Sequence, residues 1–235
     1  MMACELTFKT VYVCTVNFFA HYYFHNKAGN PWHNAGLLFP DLLRIFTSAQ
    51  RISHKDPVFT NGLEFKELCT GINMHFKADD LFHNWQFFTY QNHELALKIR
   101  QSGLEFQRDW FLAHIFIELA LDHTLVCENE TGVAQLYTDL KSCEPNIWNK
   151  FFEKCSLNQT EKWNLGMNRF IENQYIMSYK DTEMVVYALN RIYQRAGIGI
   201  FNSKQIDFLI VLLNDFIPEL KLNVRELHKL MTLNV

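Results

Sequence analysis

The stretch DWFLAHIFIELALDHTLV, residues 109–126, most narrows the folds open to this chain. It is too long for one strand, and its polar groups His114, Glu118 and Asp122 recur four apart in an apolar run, the spacing of one helix face. A helix this apolar belongs in the interior. A carboxylate carried inside with it costs several kcal/mol unless it meets a cation, a metal or a hydrogen-bonding partner.

Other segments carry helix punctuation. DTEMVVYALNRIYQRAGIG opens on an Asp-Thr N-cap and closes on Gly197, and SKQIDFLIVLLNDFIPEL runs from Ser203 to an expected stop near Pro218. Five prolines and nine glycines in 235 residues favour long helices over strands and turns. Helices are expected at about 17–27, 36–50, 60–70, 72–84, 90–103, 106–127, 131–140, 146–155, 160–178, 182–196, 203–217 and 219–232. The expected fold class is all-α, a single compact multi-helix domain. NKAGNPWHNAG is expected as a surface loop. VYVCTV has the composition of a strand but no partner in a helical domain, so residues 1–16 are expected to be an extension, not necessarily native, before a domain over 17–235.

The chain is 49% hydrophobic and 20% charged, enough apolar content for a sizeable core. Its net charge of −3 recommends neither a nucleic acid nor an anionic membrane as partner. Six cysteines without a C-x-x-C pair are expected as reduced thiols in a cytoplasmic protein. The N-terminus lacks the basic region of an export signal, and polar residues interrupt every apolar run, so no membrane span is expected.

Nine of the ten histidines fall at or before residue 123, which points to one site. NFFAHYYFH carries His21 and His25. GINMHFKADDLFHNW carries His75, Asp79 and His83 in one row four apart, and the apolar helix carries His114, Glu118 and Asp122 followed by His123. Each such group can be a buried histidine–carboxylate network or a solvated face. Together, imidazoles and carboxylates without thiolate suit a divalent ion such as Mn²⁺, Fe²⁺ or Zn²⁺. A di-iron carboxylate bundle would need repeated Glu and Glu-x-x-His, which this chain lacks. Arg191 and Arg195, four apart, suit a phosphate clamp or a solvated face near a helix C-terminus.

VNFFAHYYF, NAGLLFPDLLR, GINMHFKADDLFH and ALDHTLV resemble, in order and spacing, the successive motifs of the acyl carrier protein phosphodiesterase family. ENQYIMSYKD, ALNRIYQR and NDFIPEL follow its later pieces more loosely, so the resemblance covers about residues 17–221. It implies an all-helical, HD-domain-like, metal-dependent phosphodiester hydrolase. The family releases 4′-phosphopantetheine from holo-acyl carrier protein, typically with Mn²⁺.

Carried over by motif, the resemblance implies metal ligands at His21, Asp41, His75, Asp79 and Asp122. Asp79, His83, His114 and His123 are the candidate catalytic groups, with one of the three histidines protonating the leaving oxygen. Arg191 and Arg195 become candidate phosphate contacts. The chain departs from the family pattern at Leu37, Phe76 and His83, where asparagine, a basic residue and aspartate are usual. Those departures leave room for a non-catalytic helical binding protein of the same fold, or for a hydrolase of a different small phosphoester. Lys27, Arg44, Arg51 and Lys55, near the first two motifs, are the early basic candidates to meet an acidic carrier protein.

Overall fold

A computed structural model describes residues 17–47, 51–52 and 65–233. The expected extension over 1–16, Lys55 and the first part of the helix expected at 60–70 lie outside the described residues. Every regular element described is helical. In chain order they are α1 (Phe18–His25), α2 (Pro31–Phe46), α3 (Lys66–His83), α4 (Gln86–Gln101), α5 (Asp109–Glu128), α6 (Glu130–Ser142), α7 (Pro145–Lys154), α8 (Thr160–Asn173), a 3₁₀ helix (Tyr175–Lys180), α9 (Thr182–Arg195) and α10 (Ser203–Leu233).

Helix α5 is the axis of the molecule. It touches α1, α4, α6, the 3₁₀ helix, α9 and α10, and every residue from Ile115 to Val126 is buried. By length and composition it would suit a membrane span, but most of its surface is covered by its own neighbours. The same core turns aromatic where α7 and α8 meet α2: Phe39 stacks on Trp148 at 5.4 Å and meets Trp163 at 4.9 Å.

Local chemistry explains both ends of α9. Asp181 accepts the amide of Glu183 at the start of α9. At its end the amides of Gly197 and Ile198 reach back to the carbonyls of Gln194 and Tyr193, a Schellman turn that Gly197 closes at φ +68°.

The helix expected at 160–178 stops at Asn173 and resumes as the 3₁₀ helix after Gln174, which takes φ +45°, and three further boundaries differ from those expected. α2 begins at Pro31 inside the expected loop, because Asn30 accepts the amide of His33 and proline suits the first helical turn. α3 continues through Gly71, where two helices had been expected, because Gly71 faces Gly36 of α2 and lets the backbones approach. A methyl on Gly71 would collide with the His33 carbonyl oxygen. α10 runs through Pro218, since Leu209, Leu213, Phe216, Leu220, Val224, Leu227 and Met231 form one continuous buried stripe across it.

Candidate metal centre

The α2–α3 contact and α1 above it bring His21, Asp41, His75 and Asp79 together. His75 and Asp79, one turn apart on α3, face His21 from α1: Asp79 Oδ1 lies 3.2 Å from His21 Nε2, and Oδ2 lies 3.5 Å from His75 Nε2. Asp41 Oδ1 approaches His75 Nε2 to 4.0 Å from α2. The His21 and His75 rings are stacked with centroids 4.0 Å apart.

Protonation at this group favours ligation. His75 Nδ1 donates to the Leu37 carbonyl at 2.8 Å, which leaves Nε2 with its lone pair toward the carboxylates. Burial and the neighbouring His21 lower the His75 pKa, more than Asp79, Asp41 and that hydrogen bond raise it, so the ring is neutral. Burial acts to raise the Asp79 pKa, but His75 and His21 beside it hold the carboxyl well below the usual carboxylate range. His21 Nε2 and Asp79 Oδ1 are buried and close, yet they miss the alignment of a hydrogen bond. Two buried polar atoms 3.2 Å apart, in a set of imidazoles and carboxylates, stand at a spacing that a shared cation can occupy.

A second group stands one turn further along α3. His83 Nε2 and His114 Nε2 converge on one oxygen, Glu118 Oε1, at 3.2 and 3.1 Å. Glu118 is fully buried on α5, His114 is nearly so, and His83 keeps 28% of its side-chain surface. Phe88 packs edge-on against both rings. Burial acts to raise the Glu118 pKa, but His114 and His83 bring it below its ordinary value. Burial acts to lower the His83 pKa, but Glu118, Asp79 and Asp41 raise it, so the second group feels the carboxylates of the first.

Each of the two sets, His21–His75–Asp79 and His83–His114–Glu118, offers three ligand atoms within 4.8 Å of one another and could hold a divalent ion. Sequence spacing had isolated the α3 row and the His114–Glu118 pair, but it had not placed Glu118 in the site. Its one signal was the four-residue step from His114. Asp41 gave no signal by spacing and came only through the motif resemblance.

Other expected site residues lie elsewhere. Asp122 is not brought to either group: its carboxylate sits under the first turn of α1 and accepts the amides of Phe19 at 3.1 Å and Ala20 at 2.8 Å. Burial pushes its pKa up to about 8 against the pull of those amides. His123 donates from Nδ1 to the Tyr179 carbonyl at 2.7 Å and turns Nε2 toward Cys127, so it fastens the 3₁₀ helix to α5 and stands apart from both groups. Arg191 bonds Gln194 on the α9 surface. Arg195 lines a cavity of about 420 Å³ with Lys162, Arg169, Phe46 and Tyr175, and none of the two groups' ligands lines it. No protein-family model, curated protein or solved structure matches this chain.

Proposed function

We propose that this chain is a divalent-metal-dependent phosphodiester hydrolase, with the ion held by His21, His75 and Asp79 and assisted by Asp41. The observation that carries the proposal is the convergence of His21, His75 and Asp79 from two helices, with Asp41 of a third helix 4.0 Å from His75. The motif resemblance supplies the finer reading: a phosphopantetheine linkage of an acyl carrier protein as substrate, and Mn²⁺ as the ion.

A divalent ion so held acidifies water and offsets charge on a phosphoryl oxygen. The residues supply the rest. The Leu37 carbonyl fixes the tautomer and orientation of His75, and Asp79, held ionised, sets one oxygen toward each histidine. Phe82 and Ala78 line the small void beside His21 and keep that side of the site apolar. The neighbouring His83–His114–Glu118 group opens to solvent through His83, the side from which a phosphoester can approach, and it meets the charge that develops on the leaving oxygen.

The test uses protein stripped with a chelator and reloaded with Mn²⁺, assayed on bis-p-nitrophenyl phosphate and on holo-acyl carrier protein. Hydrolysis should depend on the ion and fall at least about 100-fold in His75→Gln and in Asp79→Asn, the scale of losing a metal ligand or its support. Turnover independent of metal, or unchanged in both variants, would refute the proposal. Stoichiometric metal without turnover on any phosphoester would favour the non-catalytic binding protein.

A further inference from the structure

We infer that His83, His114 and Glu118 bind a second divalent ion beside the first, so that the chain carries a two-ion centre strung along α3. Two ligand atoms each about 2.1 Å from one ion, at the tetrahedral angle, stand about 3.4 Å apart. The two imidazole nitrogens meet Glu118 Oε1 at 3.2 and 3.1 Å, close to that spacing, and all three donors fall within 4.8 Å. Two rings from different helices turn the same nitrogen onto one oxygen of a fully buried glutamate, and a cation can replace the ring protons that now bridge them.

The two sites differ in kind. The first combines two histidines with Asp79 and the nearby Asp41, an oxygen-richer and more negative set that suits Mn²⁺ or Fe²⁺. The second has two histidines and one carboxylate, three protein ligands with a side open at His83, the form of a zinc site that keeps a position for water or substrate. Each α-helical turn of four residues advances about 6 Å, so the row of His75, Asp79 and His83 sets the two sites one turn apart. Sites about 6 Å apart are wider than the about 3.5–4 Å of a clamp that shares the reacting oxygens, so a second ion would act on the leaving oxygen as a neighbouring positive charge. That catalytic consequence rests on the hydrolase proposal; the ion count does not.

The full chain, stripped with a chelator, is titrated with Zn²⁺, Co²⁺ and Mn²⁺ by equilibrium dialysis. Two ions per chain are expected, with Zn²⁺ and Co²⁺ filling both sites and Mn²⁺ preferring one. His83→Ala and Glu118→Gln should each reduce the Zn²⁺ count from two to one, and His75→Gln should remove the other ion. The Mn²⁺-loaded, Zn²⁺-loaded and mixed forms add an electron paramagnetic resonance readout: a spin-coupled pattern at high Mn²⁺ that becomes an isolated six-line signal in His83→Ala. His83 is partly exposed, so its alanine variant remains informative if Glu118→Gln fails to fold. One ion in the wild-type chain, or two ions retained in His83→Ala, would overturn the inference. Two ions without hydrolysis would refute the hydrolase alone, and hydrolysis with one ion would refute the second site alone.

Discussion

Asp122 holds down the start of α1, and α1 carries His21. Its carboxylate serves two amides of an eight-residue helix whose preceding residue, Asn17, makes no capping hydrogen bond. Removing it strands two buried donors, each costing about 1–3 kcal/mol. Asp122→Ala should therefore lower the urea-denaturation stability of metal-free protein by about 2–4 kcal/mol, allowing for partial relaxation of the two amides. The ion count at saturating metal should stay the same; a lost ion would restore Asp122 to the ligand set. The sequence made it legible that an acid at 122 needs a partner. The partner stayed hidden because a metal and a helix N-terminus satisfy a carboxylate equally well, and this one lies 103 residues away. His25 offers a prediction in pH. Burial, then the neighbouring His21 and His33, lower its pKa from 6.5 to about 4. Between those values the unfolded chain binds more protons than the folded one, so stability rises with pH there and is lost as pH falls toward 4. His25→Gln, which cannot titrate, should make that acid limb shallower in melting curves taken from pH 4 to 7, with His33 and His75, lowered by the same burial, keeping the remainder; an unchanged slope would mean His25 does not contribute.

At the scale of the element, α3 is the scaffold of both groups, and its row of His75, Asp79 and His83 was plain from four-residue spacing alone. Its continuity was not. Glycine usually punctuates a helix, and only the approach of α2 explains why Gly71 lies inside one. Asp41 on α2 and His75 on α3 are held at 4.0 Å by that approach. Gly71→Ala raises intrinsic helix propensity by about 1 kcal/mol but drives a methyl into the His33 carbonyl and the Gly36 backbone. The collision should prevail, with a net loss of about 1–3 kcal/mol typical of overpacking. Because the strain falls between α2 and α3, calorimetric titration should show weaker binding at the His21–His75–Asp79 site. The site shared by α3 and α5 should keep its affinity. A stabilised variant with both affinities intact would mean that α2 and α3 have room to separate without cost. Pro218 makes the same point on α10: the helix reads as broken by its proline and as continuous by its buried stripe, and the stripe decides.

Across the whole molecule, the all-α class was legible because few prolines, few glycines and long apolar periods leave strands little room. Which helices meet was not legible, since helical spacing records a face and says nothing of what covers it. That gap matters most for α5: its length and composition would suit a membrane span although polar residues interrupt it, and its neighbours make it the core. The two ligand groups join elements distant in sequence, the first tying α1 and α2 to α3 and the second tying α3 to α5. An ion bound only by the folded chain stabilises it by RT ln(1 + [L]/Kd), about 2.7 kcal/mol at a hundred times Kd. For a chain of this size that is a rise in Tm of about 5–10 °C per site. Wild-type protein saturated with Zn²⁺ should melt above its chelator-treated form by the sum of two such increments. His75→Gln and His83→Ala should each retain one increment, measured against their own stripped forms so that any packing loss cancels. Identical melting curves for stripped and loaded wild-type protein would mean that neither group binds an ion in the folded state.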